Sequence, residues 1–556
     1  MGLRSFHQYV TVERQVLAPM RDGVQLAADI YRPKGVDTLL PVLLMRLPYG
    51  RAIASTVVYA HPSWYAHQGF IVVVQDVRGC GKSAGEFYPF RAEYEDGYDS
   101  VAWCSNLPGS NGKVGMYGFS YQGITQFQAA VMQPPGLVTI CPAMASLELY
   151  EGWLYWGGAL GWEFALTWGL QLSQHQAQFQ QQEPLATQLF TAQQNLSPYL
   201  TALPLGNFQL PLAEFFGDWL AHDQADHAYW QALQPLARIG NYDLPALHIG
   251  GWADPFIGGT WSAYQVTSQQ TPQPQKLYIG PWQHLPWRAR VGELDFGEFA
   301  NPQVDQLQVD WFNYWLKGIE NGIATPLQQF FCTGRNNWIS LSLTQLSDHE
   351  QDGRPFSDLY LHSQAKLEIF PPQADSLPDV YVYDPRTPTP TTAYGPYDQT
   401  LINQRWDVLN YKSDRLEQEV MVGGVARFEL FAVSSAIATD WVVKLYDIYP
   451  DQRQILITMA VQRCQDLSPE QVSRFQLDFR PICHSFALGH RIGIAIASAA
   501  FPLIDRHSNS SNHPASQRVS EMIEATQRIY HSPGFASKLR LPTVQPKSSA
   551  IADVEE

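Results

Sequence analysis

Six cysteines in 556 residues are few, and they stand apart at Cys80, Cys104, Cys141, Cys332, Cys464 and Cys483. None forms a CxxC pair or joins a histidine cluster. Neither a disulfide framework nor a structural zinc site is therefore expected, and the thiols read as reduced core residues. Positive charge is also scarce: 36 Lys and Arg face 52 Asp and Glu, a formal net charge of −16 with no basic run. That balance argues against nucleic-acid binding and against attachment to an anionic membrane. No apolar run approaches the ~18 residues of a membrane span. The amino terminus MGLRSFHQYVTVERQ lacks the apolar segment of a signal peptide. Gly2 could open a myristoylation motif, but Phe6 stands where Ser or Thr is needed. The chain reads as soluble and cytoplasmic.

What is abundant is apolar and aromatic. Hydrophobic residues make up 45% and aromatics 13%, with 17 Trp, enough for about two to four folded domains and for an aromatic-lined cavity. LPVLLMRLPYG (40–50) and FIVVVQDVRG (70–79) read as short buried strands. EDGYDSVAWCSNLP (95–108) has helical character, KVGMYGFS (113–120) is the next strand and YQGITQFQAAVMQ (121–133) the next helix. Strands without polar alternation, separated by helices, predict a parallel α/β sheet. From 146 to 235 the texture becomes Trp-rich, then Gln-rich and helical, which reads as an inserted cap. The α/β pattern returns in LPALHIGGWADPF (244–256) and KLYIGPWQH (276–284) and closes with the amphipathic VDWFNYWLKGIENG (309–322). Beyond Pro326, short alternating strands such as LQQFFCTG, DLYLHS and RIGIAIASAAFP predict a β-sandwich or jelly roll to residue 542, followed by a disordered tail at 543–556.

The chemistry centres on GFSYQG (118–123), a G-x-S-x-x-G hexapeptide between a strand and a helix. It keeps the Gly-x-Ser half of the G-x-S-x-G elbow, with Gln122 in place of the second glycine and Gly123 one residue later. In a nucleophile elbow the serine occupies a tight turn and the glycines relieve its crowding. A serine hydroxyl needs a histidine to take its proton and a carboxylate to orient that histidine, in the chain order Ser, Asp or Glu, His. Asp254 just past one late strand and His284 just past the next satisfy that order. His248 reads as a buried strand residue, and His222 and His227 belong to the polar helical block. The oxyanion needs donors. The backbone N–H of Tyr121 supplies one, and Tyr49 in RLPYG stands on the loop where a second belongs. GCGKS (79–83) imitates the end of a phosphate-binding loop, but Asp76 stands where that pattern needs glycine.

Together GFSYQG, RLPYG, DVRGCGKSAGEF, GGWADPF, GPWQH and WFNYWLKGIENG resemble one family of serine hydrolases. It contains cocaine esterase, α-amino acid ester hydrolases, glutaryl acylases and Xaa-Pro dipeptidyl-peptidases. The resemblance continues through ATDWVVKLYDIYPD, GHRIGIAIASAAFPLIDRHSN and RIYHSPGFASKLRLP, so it covers nearly the whole chain. It implies an α/β fold with an α/β-hydrolase domain at 1–145 and 236–322, a helical cap at 146–235 and a C-terminal jelly roll at 326–542. It further implies Ser120 as nucleophile, Asp254 as orienter, His284 as base, and an oxyanion hole from the Tyr49 hydroxyl and the Tyr121 N–H. Aromatics around the cap, here Trp153, Trp156, Trp168 and Phe256, would form the acyl pocket. No metal or organic cofactor is implied, and the partner is a small-molecule ester or amide; a homo-oligomer is compatible with all of this. Enzymes of this kind that hold a free α-amine use carboxylates near the acyl site. Glu148, Glu151 and Glu163 are the candidates, but they form no convincing cluster. The expectation is therefore ester or small-amide hydrolysis through an acyl-serine. Xaa-Pro dipeptidyl cleavage or acylase activity is the alternative within the class. An inactive hydrolase whose jelly roll binds carbohydrate is the alternative outside it.

Overall fold

Ten strands of one sheet organise the first part of the chain in the computed structural model, which describes residues 7–52, 56–326, 328–342, 357–391, 393–469 and 471–544. They are β1 (Val10–Pro19), β2 (Gln25–Pro33), β3 (Leu40–Leu47), β4 (Ile71–Asp76), β5 (Ser110–Phe119), β6 (Leu137–Ala143), β7 (Ala246–Ala253), β8 (Gln275–Gln283), β9 (Gln328–Cys332) and β10 (Asn337–Leu341). Their spatial order is β1-β2-β4-β3-β5-β6-β7-β8-β9-β10. All neighbours from β4 through β9 run parallel, and an antiparallel strand or hairpin closes each edge.

The central strands are apolar throughout because both faces are covered. Val42 and Leu44 of β3, with Ile71 and Val73 of β4, pack in one layer with Ile124 and Phe127. Leu43, Met45, Val72 and Val74 point the other way, into a layer holding Trp311, Phe312 and Leu316. On the first face lie α1 (Glu93–Ser105) and α2 (Tyr121–Ala130). The cap contributes α3 (Trp162–Phe179), α4 (Glu183–Gln194) and α5 (Glu214–Ala221), and α6 (Ile257–Gln270) follows β7. The closing helix α7 (Val304–Lys317) ends at Gly318 in the left-handed region.

The chain after residue 357 forms a β-rich domain around an eleven-stranded sheet. Near one edge, the long strand Thr439–Ile448 pairs antiparallel with Gln454–Cys464 and Arg491–Ala497. Two expectations need correction. LQQFFCTG does not begin that domain: its strand β9 extends the hydrolase sheet in parallel with β8. Phe330 packs against Trp252 and Trp261 while Phe331 packs against Phe296 and Trp338, so the strand is covered on both faces. Residues 543 and 544, expected in a disordered tail, are ordered against the β-rich domain, where the Val544 N–H bonds the Met421 carbonyl at 2.9 Å; the remainder of that tail lies outside the described residues. All six cysteines are buried free thiols. The GCGKS turn wraps a carboxylate rather than a phosphate, with the Lys82 N–H donating to Asp76 at 3.2 Å. Among the described residues no helix is long and apolar enough to cross a membrane.

Two charged contacts tie these parts together. Arg46 on β3 pairs with Glu93 at the start of α1 at 2.8 Å, both fully out of solvent. Glu93 also accepts from the Tyr121 hydroxyl at 2.8 Å, so one carboxylate joins sheet, α1 and α2. The second is Arg480, from the turn between the strands Ser473–Asp478 and Ile482–Phe486. It donates to the Pro255 carbonyl and lies over the Trp156 ring at 3.8 Å, bridging the β-rich domain to the loop after β7 and to the cap.

Removing one partner of a buried ion pair strands the other charge, at a cost of about 3–5 kcal/mol. Glu93→Leu is thus expected to lower the unfolding free energy of the hydrolase domain by about that much, seen as a fall in the denaturant midpoint. The double variant Arg46→Met/Glu93→Leu is expected to recover most of the loss, as followed by fluorescence-detected unfolding.

Candidate active site

β5 delivers the chain to Ser120 and α2 takes it away, leaving Ser120 at φ 61° and ψ −129°. A non-glycine residue held there carries of order 1–3 kcal/mol of backbone strain. The surroundings enforce it: the Ser120 N–H donates to the Ala143 carbonyl on β6 at 2.9 Å. A Cβ on Gly118 would come within 2.5 Å of the Gln122 Cβ, and one on Gly123 within 2.5 Å of the Ala145 Cβ. Gly118 and Gly123 are therefore space requirements of the turn.

The ends of β7 and β8 lie side by side, and each delivers one further residue. Asp254 is fully buried, and its carbonyl accepts from Ile257 at the start of α6. His284 places Nδ1 3.0 Å from Asp254 Oδ1. An ionised carboxylate only accepts, so this bond puts the imidazole proton on Nδ1 and leaves Nε2 as an acceptor. The Trp287 indole N–H donates to the His284 carbonyl at 2.9 Å, and the rings of Phe119 and Phe256 flank the imidazole at 5.5 and 4.9 Å.

Ser120, His284 and Tyr49 line one cavity of about 600 Å³. Tyr49 follows β3 directly, and the Trp168 Nε1–H donates to its hydroxyl at 3.1 Å. Indole nitrogen only donates, so the Tyr49 oxygen accepts there and keeps its own proton for another partner. The Ser120 side chain lies against the same phenol, whose ionisation burial pushes far above the usual tyrosine range. Tyr121 contributes differently with its two ends. Its side chain turns away, stacked on Phe90 at 4.4 Å and bonded to Glu93. Its N–H belongs to the first turn of α2, where amides have no partner within the helix.

The predicted aromatic residues divide. Trp168 lines the cavity, and Trp153 and Phe256, stacked on each other at 4.1 Å, back it, with Trp153 against Trp168 at 5.8 Å. Trp156 does not line it, because its ring is spent under Arg480. Glu148, Glu151 and Glu163 do not line it either; the Glu151 carboxylate accepts the Gly157 N–H at 2.9 Å. Sequence reasoning missed Phe164, Gln171, His175 and Gln178, which share the cavity face of α3 with Trp168, and also Gln122 and Gln193. Their spacing along α3 was the available signal, hidden because polar residues at helical intervals normally mark a solvated face.

Residues 22–286 match the X-Pro dipeptidyl-peptidase (S15 family) model and residues 321–540 match the X-Pro dipeptidyl-peptidase C-terminal non-catalytic domain. The chain is 30% identical to cocaine esterase of Rhodococcus sp. (strain MB1 Bresler), over 96% of this chain and 99% of the relative. Its fold superposes on an α-amino acid ester hydrolase with a TM-score of 0.81 at 24% identity, covering 96% of this chain and 97% of that one. An aminopeptidase from a marine sediment Thaumarchaeota archaeon gives 0.80 at 23% identity, covering 96% of each chain. With Ser120 strained on its elbow and His284 bonded to Asp254 in one cavity, the chain belongs to the S15 family of serine esterases and peptidases.

Proposed function

We propose that this protein hydrolyses an uncharged carboxylic ester through an acyl-serine intermediate, with Ser120, His284 and Asp254 as its triad. The observation that carries the reading is the 3.0 Å bond from His284 Nδ1 to the buried Asp254, made by an imidazole that lines the same cavity as Ser120. Ser120 Oγ attacks the carbonyl carbon while His284 Nε2 takes its proton. The carbonyl oxygen gains charge and is met by the Tyr49 hydroxyl and the Tyr121 N–H. His284 passes the proton to the alcohol oxygen as the C–O bond breaks, and the alcohol leaves. Water then attacks the acyl-serine, its proton going to His284 and on to Ser120 Oγ as the carboxylic acid is released. The backing aromatics Trp153, Trp168 and Phe256 favour a bulky apolar acyl group.

Dipeptidyl cleavage is the weaker reading. A peptide with a free amino terminus brings an ammonium into the site, and burying it without a carboxylate is costly. Among the described residues no carboxylate lines the cavity. A purely carbohydrate-binding role is not favoured by relatives that are serine esterases and peptidases.

Wild-type protein is expected to take a fluorophosphonate label that Ser120→Ala does not; equal labelling of both would remove the nucleophile assignment. Asp254→Asn preserves shape but puts the wrong tautomer on His284, and is expected to lower kcat by about 10⁴ on an aryl ester. Tyr49→Phe is expected to lower kcat by about 10²–10³ with a much smaller change in KM. An unchanged kcat would reduce Tyr49 to packing.

A further inference from the structure

We propose that the leaving group of the substrate is an uncharged alcohol carrying further hydroxyl groups, an inference that rests on the hydrolase reading above. The helix α3 turns one face to the cavity, and Phe164, Trp168, Gln171, His175 and Gln178 follow each other along it at helical spacing. The face changes character midway. Phe164 and Trp168 are stacked at 5.3 Å and continue into the aromatic wall of Trp153 and Phe256. Gln171, His175 and Gln178 carry the face on for roughly 15 Å from Trp168 at a rise of 1.5 Å per residue, and Gln193 joins them from α4.

The reacting centre sits on the seam between the halves. Tyr49 accepts from Trp168 on the aromatic side, and its ring packs edge-on against His175, 5.9 Å away, on the polar side. An ester held at Ser120 then directs its two ends to opposite halves, with the acyl chain among the aromatics and the alcohol along the amides.

The polar half is uncharged. Among the described residues, no Asp, Glu, Lys or Arg lines the cavity. Burial also lowers the pKa of His175, which favours its neutral form. An ammonium or carboxylate on the leaving group would find no counter-charge there. Primary amides offer donors and acceptors together, as hydroxyl groups do. Gln122, two positions after Ser120, adds a further amide to the cavity lining beside the elbow.

The test uses phenylacetyl esters of ethanol, glycerol, glucose, choline and lactic acid, which share an acyl group and differ only in the alcohol. The glycerol and glucose esters are expected to exceed the ethyl ester in kcat/KM by about tenfold or more, with the choline and lactate esters below it. In Gln171→Leu/Gln178→Leu the glucose-to-ethyl ratio is expected to fall to about one. Both rates come from one preparation, so any loss of folded protein cancels in the ratio. An ethyl ester equal to or better than the polyol esters, a choline or lactate ester as best substrate, or an unchanged ratio in the double variant overturns the proposal. Turnover of none of the five by protein whose Ser120 takes the fluorophosphonate overturns it too, and leaves the hydrolase reading standing. Only an unlabelled Ser120 with no turnover removes both.

Discussion

The bond between His284 and the dry carboxylate of Asp254 is the interaction around which the other parts are arranged. A carboxylate out of water is costly unless its neighbours compensate, and here His284 Nδ1 meets Oδ1 while three features hold the pair in place. The adjacent ends of β7 and β8 set the two side chains at hydrogen-bond distance. Phe119 and Phe256 close around the imidazole. Arg480 reaches in from the β-rich domain and grips the Pro255 carbonyl, the residue immediately after Asp254. The second domain thereby helps to support the loop that carries Asp254.

Ser120 is held by a separate set of restraints. Its backbone occupies a region that a serine leaves unless it is constrained, and β6, Gly118 and Gly123 leave no room for another path. Behind it, Glu93 draws Arg46 and Tyr121 to one point. Tyr121 thereby links that buried network to the mouth of the site, since the residue that anchors α2 through its hydroxyl also offers its N–H at the helix start.

Much of this was legible in the sequence because it rests on local order. Strand, turn and helix around Ser120 could be read from one continuous stretch, and Asp254 and His284 each follow an apolar strand. Residues whose role depends on which face they turn were not legible. Trp156 and Trp168 look alike in a Trp-rich segment, yet one lies beneath Arg480 and the other holds Tyr49. The glutamines of α3 looked solvated because nothing local says that a helix face covers a cavity. β9 was assigned to the wrong domain because alternation cannot name a strand's partner. Only the adjacent Phe330 and Phe331, both buried, hinted at a strand covered on two sides.

That last strand gives the chain a particular order of assembly. The hydrolase sheet is completed by residues that come after its closing helix α7, so on the ribosome β8 emerges and stays an open edge until Gln328–Cys332 is synthesised. An unpaired parallel strand is a template for mispairing. During synthesis, therefore, the strand that leads to His284 keeps an open outer side until it is sealed by the segment that leads into the second domain.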